Sequence, residues 1–130
     1  MAKFNIPTDL KYVSTDEWIR IENGEGVIGV TDYAQDALSD VVYVELPQVG
    51  ETYKAGERFG TVESVKAASD MHMPIGGTVT AVNAALEEAP ESVNKDPYGA
   101  GWFIRIRPAD LAEQDKLMDA PAYDQYCVGR

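Results

Sequence analysis

The chain is built from short stretches in which apolar and polar residues alternate, separated by turn residues. Trp18 to Glu22 alternates in this way, Asn23 and Gly24 supply a turn, and Gly26 to Val30 reads as the returning strand of a hairpin. The period then changes. From Thr31 to Ser39 the spacing predicts one short helix, with Asp32 as its cap, Gln35 three residues on in a capping-box arrangement, and Tyr33, Ala37 and Leu38 as its apolar stripe. Val41 to Leu46 is β-branched and aromatic, and Pro47 ends it.

Between Gly50 and Gly77 glycine and proline recur so often that only short strands fit. Phe59 to Ser64 and Ala67 to Met71 predict a hairpin whose β-turn is Ser64-Val65-Lys66-Ala67. Gly56 and Gly76 lie at equal distances on either side of Lys66, which suggests two strand pairs related by a pseudo-twofold with the lysine at the apex. Thr78 to Asn83 predicts a further strand. Helical turns are expected around Leu86 and Pro90, and Asp96-Pro97-Tyr98-Gly99 is turn chemistry. Trp102 to Arg107 predicts a half-buried strand, with Trp102, Ile104 and Ile106 on one face and Phe103, Arg105 and Arg107 on the other. After Pro108, Leu111, Leu117 and Met118 predict an acidic amphipathic helix capped by Asp110, which Pro121 separates from a last turn bearing Tyr123 and Tyr126.

These elements predict a mainly β fold with peripheral helices: a flattened β-barrel or sandwich carrying a short helix in its N-terminal half and a C-terminal helical extension. The length of 130 residues suits one domain over 1–130, with a core spanning about 12–107 and the extension over 108–126. Apolar residues at 45% and charged residues at 25% give enough burial for a folded chain. A formal charge of −11, with no basic patch, argues against nucleic acid, because phosphate binding needs clustered Lys and Arg. No run is long enough for a membrane span, and Met1 to Leu10 lacks the pattern of a signal or transit peptide, so a cytoplasmic location is expected.

The common enzyme signatures are absent. Cys127 is the only cysteine, and nearby Asp124 disfavours its thiolate. His72, the only histidine, lies between Met71 and Met73 in a setting unlike that of a general base held by a carboxylate, and a structural or solvent-facing role is expected. Lys66 stands apart. A lysine in a turn is usually a solvated charge, but Val65, Ala67 and Ala68 leave this amine alone at the tip, with Glu63 and Asp70 as the nearest charges along the chain. An enzyme that acylates one lysine among several needs it exposed and fixed in geometry, which a tight hairpin provides. By itself this supports a post-translational acceptor.

Several segments, in order and at matching spacing from about Tyr12 to Tyr126, resemble the glycine cleavage system H proteins. They include Asp16-Glu17-Trp18, Gly29-Val30-Thr31-Asp32-Tyr33-Ala34-Gln35, Val44-Glu45-Leu46-Pro47, Val62 through Asp70, Asn94 through Gly99, and Gly101-Trp102. The resemblance implies a lipoyl-type barrel-sandwich hybrid in which lipoic acid is attached to Lys66 as lipoyl-lysine, with Glu63, Ser64, Val65 and Ala67 forming the tip that lipoylating enzymes recognise. It also implies the partners. A pyridoxal-phosphate-dependent glycine decarboxylase loads an aminomethyl group on the arm, an aminomethyltransferase passes the one-carbon unit to tetrahydrofolate, and dihydrolipoamide dehydrogenase reoxidises the arm, so the chain itself is a carrier and not an enzyme.

Glu17 and Asp70 match acidic positions of that family and are candidates for docking the loaded arm, although a strand-end carboxylate is as often only solvated. Two positions depart from the pattern: Asp16 stands where family members often carry a histidine, and Ala37 where some place another. A biotinyl carrier is the nearest rival, but Val65 and Ala67 stand where biotin acceptors usually have methionines. The lipoyl domains of 2-oxoacid dehydrogenase complexes are shorter and tethered by linkers, which this chain lacks. An H-like protein that chiefly relays lipoyl groups to other proteins remains an alternative, as does an unmodified acidic interaction module or a hydrolase of unrecognised type. The family resemblance suggests a monomer.

Overall fold

The computed structural model describes residues 4–130. Two short strands open the chain, β1 (Lys11–Tyr12) and β2 (Glu17–Glu22), followed by β3 (Glu25–Val30). Asn23 and Gly24 join β2 to β3 with φ of 52° and 82°, the two positive angles of a tight hairpin turn whose twist matches its strands. Helix α1 (Asp32–Leu38) leads to β4 (Val41–Glu45) and β5 (Thr52–Tyr53), then to the hairpin β6 (Arg58–Ser64) and β7 (Ala68–His72), and to β8 (Gly77–Val82). Two single-turn helices, α2 (Ala85–Glu88) and α3 (Ser92–Lys95), precede β9 (Ile104–Pro108). A 3₁₀ helix (Leu111–Lys116) and helix α4 (Ala120–Val128) complete the chain.

The strands pair antiparallel in two sheets, β1-β2-β3-β9-β8-β5 and β4-β6-β7. Ile19, Ile28, Ile104 and Ile106 from the first sheet and Val44, Val62 and Met71 from the second share one buried cluster, which is the core of a flattened barrel-sandwich. Alternation turns the neighbours of these residues to the opposite face. There Trp18 and Val27 join Leu10, Tyr12, Ala120, Tyr123 and Cys127 in a second cluster beneath α4. Tyr12 and Tyr123 stack in it with ring centroids 4.7 Å apart. Gly29 faces Trp18 across the β2-β3 ladder, and a Cβ there would lie 2.8 Å from the indole ring, so the tryptophan lies flat only over a residue without a side chain.

Several details differ from the pattern. Thr31, not Asp32, caps α1: its Oγ1 accepts from Ala34 N at 3.2 Å, while Asp32 is the first helical residue and accepts from the Gln35 side-chain amide at 2.8 Å. Both residue types can cap, and the backbone turns extended at Thr31. On this helix Leu38 is buried and Ala34 packs on the core, whereas Ala37 is exposed.

The last strand starts at Ile104. The Asn83 amide donates to the carbonyls of Ala100 and Trp102, each at 2.8 Å, and holds the backbone before it out of regular alternation. Trp102 therefore packs toward the second cluster and Phe103 is buried in the first, opposite to the expected faces. Asp110 does cap the segment after β9, its carboxylate accepting from Ala112 N at 3.0 Å, but that segment is a 3₁₀ helix. Pro121 lies in the first turn of α4, where a missing N–H costs nothing, so a nine-residue helix stands where a last turn was expected.

Candidate functional site

The β6-β7 hairpin places Lys66 at its tip, in the turn expected from the sequence. Ser64 N donates to Ala67 O at 2.8 Å. The Ser64 hydroxyl accepts from Lys66 N at 3.1 Å and Ala67 N at 3.0 Å and donates to Ala67 O, so one side chain ties three groups of the turn. A further bond from Val65 N to Asp40 O at 3.0 Å anchors the tip to the loop after α1. Glu63, Val65, Lys66 and Ala67 are all exposed, Val65 at 69%. The Lys66 ammonium donates to Ala37 O at 3.4 Å, at the C-terminal end of α1, where unpaired carbonyls favour a cation.

Ala37 also lines a cavity of about 140 Å³ between β2, α1 and the hairpin. Thr15, Asp16, Glu17, Ser69, Asp70 and Met71 contribute to its walls, so the structure brings Glu17 and Asp70 together within reach of the Lys66 tip. Glu17 is not a solvated strand end. It is 1% exposed, accepts from His72 N at 2.9 Å and from the Thr15 hydroxyl, and burial pushes its carboxyl up to about 8 despite these two bonds. Asp70 is exposed and paired with Arg58 at 3.2 Å, which also holds Glu45 at 2.8 Å.

The His72 Nδ1 faces Glu17 Oε2 at 3.6 Å and, among the described residues, has no hydrogen-bond partner. That gap is too long for a hydrogen bond, but it puts a carboxylate beside the imidazole. Cys127 is buried in the second cluster under α4.

Thr15 and Ser69 carried no sequence signal of a shared cavity, and Asp16 stood out only as a departure from the family pattern. Glu17 did carry one, because it stands in register with Ile19 and Ile21 on the inward face of β2, where a charge is out of place. Asp16 has φ of 76°, a conformation few non-glycine residues adopt, and its carboxylate binds Arg130 Nη1 at 2.6 Å and Nη2 at 2.8 Å. Nothing in the local sequence around either residue pairs them.

Comparison with known proteins identifies the family. The sequence profile of the family described as "Glycine cleavage H-protein" matches residues 10–129. A glycine cleavage system H protein from Bacteroides thetaiotaomicron is 53% identical over 119 residues, covering 92% of this chain and 94% of that protein. One from Shewanella oneidensis is 56% identical over 120 residues, covering 92% and 93%. The crystal structure of a glycine cleavage system H protein from Mycobacterium marinum superposes with a TM-score of 0.87 at 40% identity, covering 94% of this chain and 98% of that one. With a match of this extent in sequence and in fold, the chain belongs to the glycine cleavage H-protein family.

Proposed function

We propose that the chain works in glycine cleavage as the carrier of a lipoyl group held on Lys66. The H-protein family supplies the non-catalytic lipoyl carrier of that multienzyme system, and membership gives this chain the same part. The single observation that best supports Lys66 as the acceptor is its amine: it lies exposed in a turn tied by Ser64 and stands against Ala37 at the rim of the Glu17 cavity. Lipoic acid attached there supplies a dithiolane that accepts an aminomethyl group and cycles between disulfide and dithiol.

The chain's own residues then have separate tasks. Ser64 fixes the turn so that a lipoylating enzyme meets one amine in one geometry, and exposed Glu63, Val65 and Ala67 are the surface it reads. Glu17 and Asp70 offer acidic groups to a cationic load in the cavity beside the tip, and the burial of Glu17 strengthens its pull once it is ionised. Its partners are a glycine decarboxylase with pyridoxal phosphate, an aminomethyltransferase using tetrahydrofolate, dihydrolipoamide dehydrogenase and lipoylating enzymes. It meets them as a monomer and from solution; among the described residues no helix is long and apolar enough to cross a membrane.

Reconstitution with a glycine decarboxylase tests this function. Lipoylated protein is expected to support glycine-dependent exchange of carbon dioxide, and Lys66→Arg protein is not. Correctly lipoylated protein that fails to support the exchange would point to the relay role instead.

A further inference from the structure

Asp16 joins the buried carboxylate of the cavity to the C-terminal helix. Its carboxylate receives three side-chain donors: the two Arg130 nitrogens and the Tyr123 hydroxyl, the last at 2.8 Å. Burial pushes the Tyr123 phenol up, so it stays a neutral donor, and the Thr31 hydroxyl that caps α1 lies 2.7 Å from it. The guanidinium is itself held, 4.1 Å above the ring of Tyr33 on α1 and 4.6 Å from that of Tyr126 on α4. Asp16 N and O bond Val13 O and Thr31 N, each at 2.9 Å, which fixes the turn before β2. The Thr15–Glu17 wall of the cavity, α1 and α4 thus meet on one ion pair.

We infer that Arg130, acting through Asp16, is a positioning residue of the cavity beside Lys66: it holds the Thr15–Glu17 wall in place and offsets the Asp16 charge next to buried Glu17. This rests on the reading of that cavity as the place where the loaded arm docks. A two-point arginine–carboxylate pair whose side chains are only 25% and 15% exposed fixes direction as well as charge, unlike an ion pair in open solvent. Asp16 is the charged neighbour that opposes ionisation of Glu17. The other titratable groups at Glu17 come from β7. Asp70 is already engaged by Arg58, and the His72 imidazole stands at 3.6 Å.

With Arg130 removed, the Tyr123 hydroxyl is the one side-chain donor left to Asp16 among the described residues, and the Asp16 charge acts on Glu17 with less compensation. Glu17 then ionises later and the wall loses its fork. The test begins with unmodified protein, in which the Glu17 carboxyl is titrated by carbon-13 NMR. Arg130→Gln is expected to raise its midpoint by about half a pH unit, a factor of about three in proton affinity, with Arg130→Lys returning part of the way. Asp16→Asn should lower the midpoint, and adding Arg130→Gln to it should produce no further rise.

In lipoylated, aminomethyl-loaded protein without partner enzymes, hydrolysis of the load to ammonia and formaldehyde should run about threefold faster in Arg130→Gln, tracking the Glu17 shift. An unchanged midpoint in folded Arg130→Gln overturns the inference. A shifted midpoint with unchanged hydrolysis upholds the coupling of Asp16 to Glu17 and overturns the docking reading.

Discussion

Glu17 carries the clearest physical signature of any residue here, a carboxyl 1% exposed whose affinity for its proton is raised by burial. In the folded protein it keeps the proton up to about pH 8, whereas in the unfolded chain it loses it near the ordinary 4.5. Between these values the folded state binds more protons, so stability falls as pH rises, by up to about 1.4 kcal/mol per unit. Glu17→Gln is neutral throughout. Its melting temperature should therefore gain on that of the parent from about pH 5 to about pH 8, and a constant difference would refute the buried, protonated state. The place of Lys66 at an exposed hairpin tip was legible in the sequence because turn residues and small neighbours are local signals. The pairing of Asp16 with Arg130 was not, since 114 positions separate them. At the tip, Val65→Asp or Ala67→Asp should impair lipoylation with melting unchanged, because both side chains are exposed; normal modification of both would remove the tip from recognition.

At the level of elements, alternation and turn residues located the strands, and the errors came where side chains capture backbone groups. Asn83 ends the regular ladder before β9, and Thr31 rather than Asp32 starts α1. Thr31 joins helix to core, since its hydroxyl meets both Ala34 N and the Tyr123 hydroxyl, and it is fully buried. Thr31→Ala should cost about 1–2 kcal/mol, read by denaturant unfolding, and Thr31→Ser should recover most of it. An Ala variant as stable as the parent would contradict the cap. Ser64→Ala should speed amide hydrogen exchange at Lys66 and Ala67, whose N–H groups its hydroxyl receives. The 3₁₀ segment was unreadable for another reason: a cap such as Asp110 stands at the same spacing before a short helix of either kind.

Across the whole molecule two clusters share the six-stranded sheet, one between the sheets and one under α4. We read 1–130 as one domain, for which thermal unfolding should follow one transition at near- and far-ultraviolet wavelengths; two separated transitions would make α4 and its cluster an independent unit. The barrel-sandwich was legible because its strands are local patterns, whereas the second cluster unites Tyr12 with Tyr123 from opposite ends of the sequence. With a formal charge of −11 over the chain, binding to any basic surface should weaken as salt is added. Sheet, helix and tip together frame Lys66, which we propose carries the lipoyl group. Intact-mass measurement of protein from lipoylating cells tests it most directly: one lipoyl increment is expected on the parent and none on Lys66→Arg, whereas no increment, or one that survives the substitution, contradicts it.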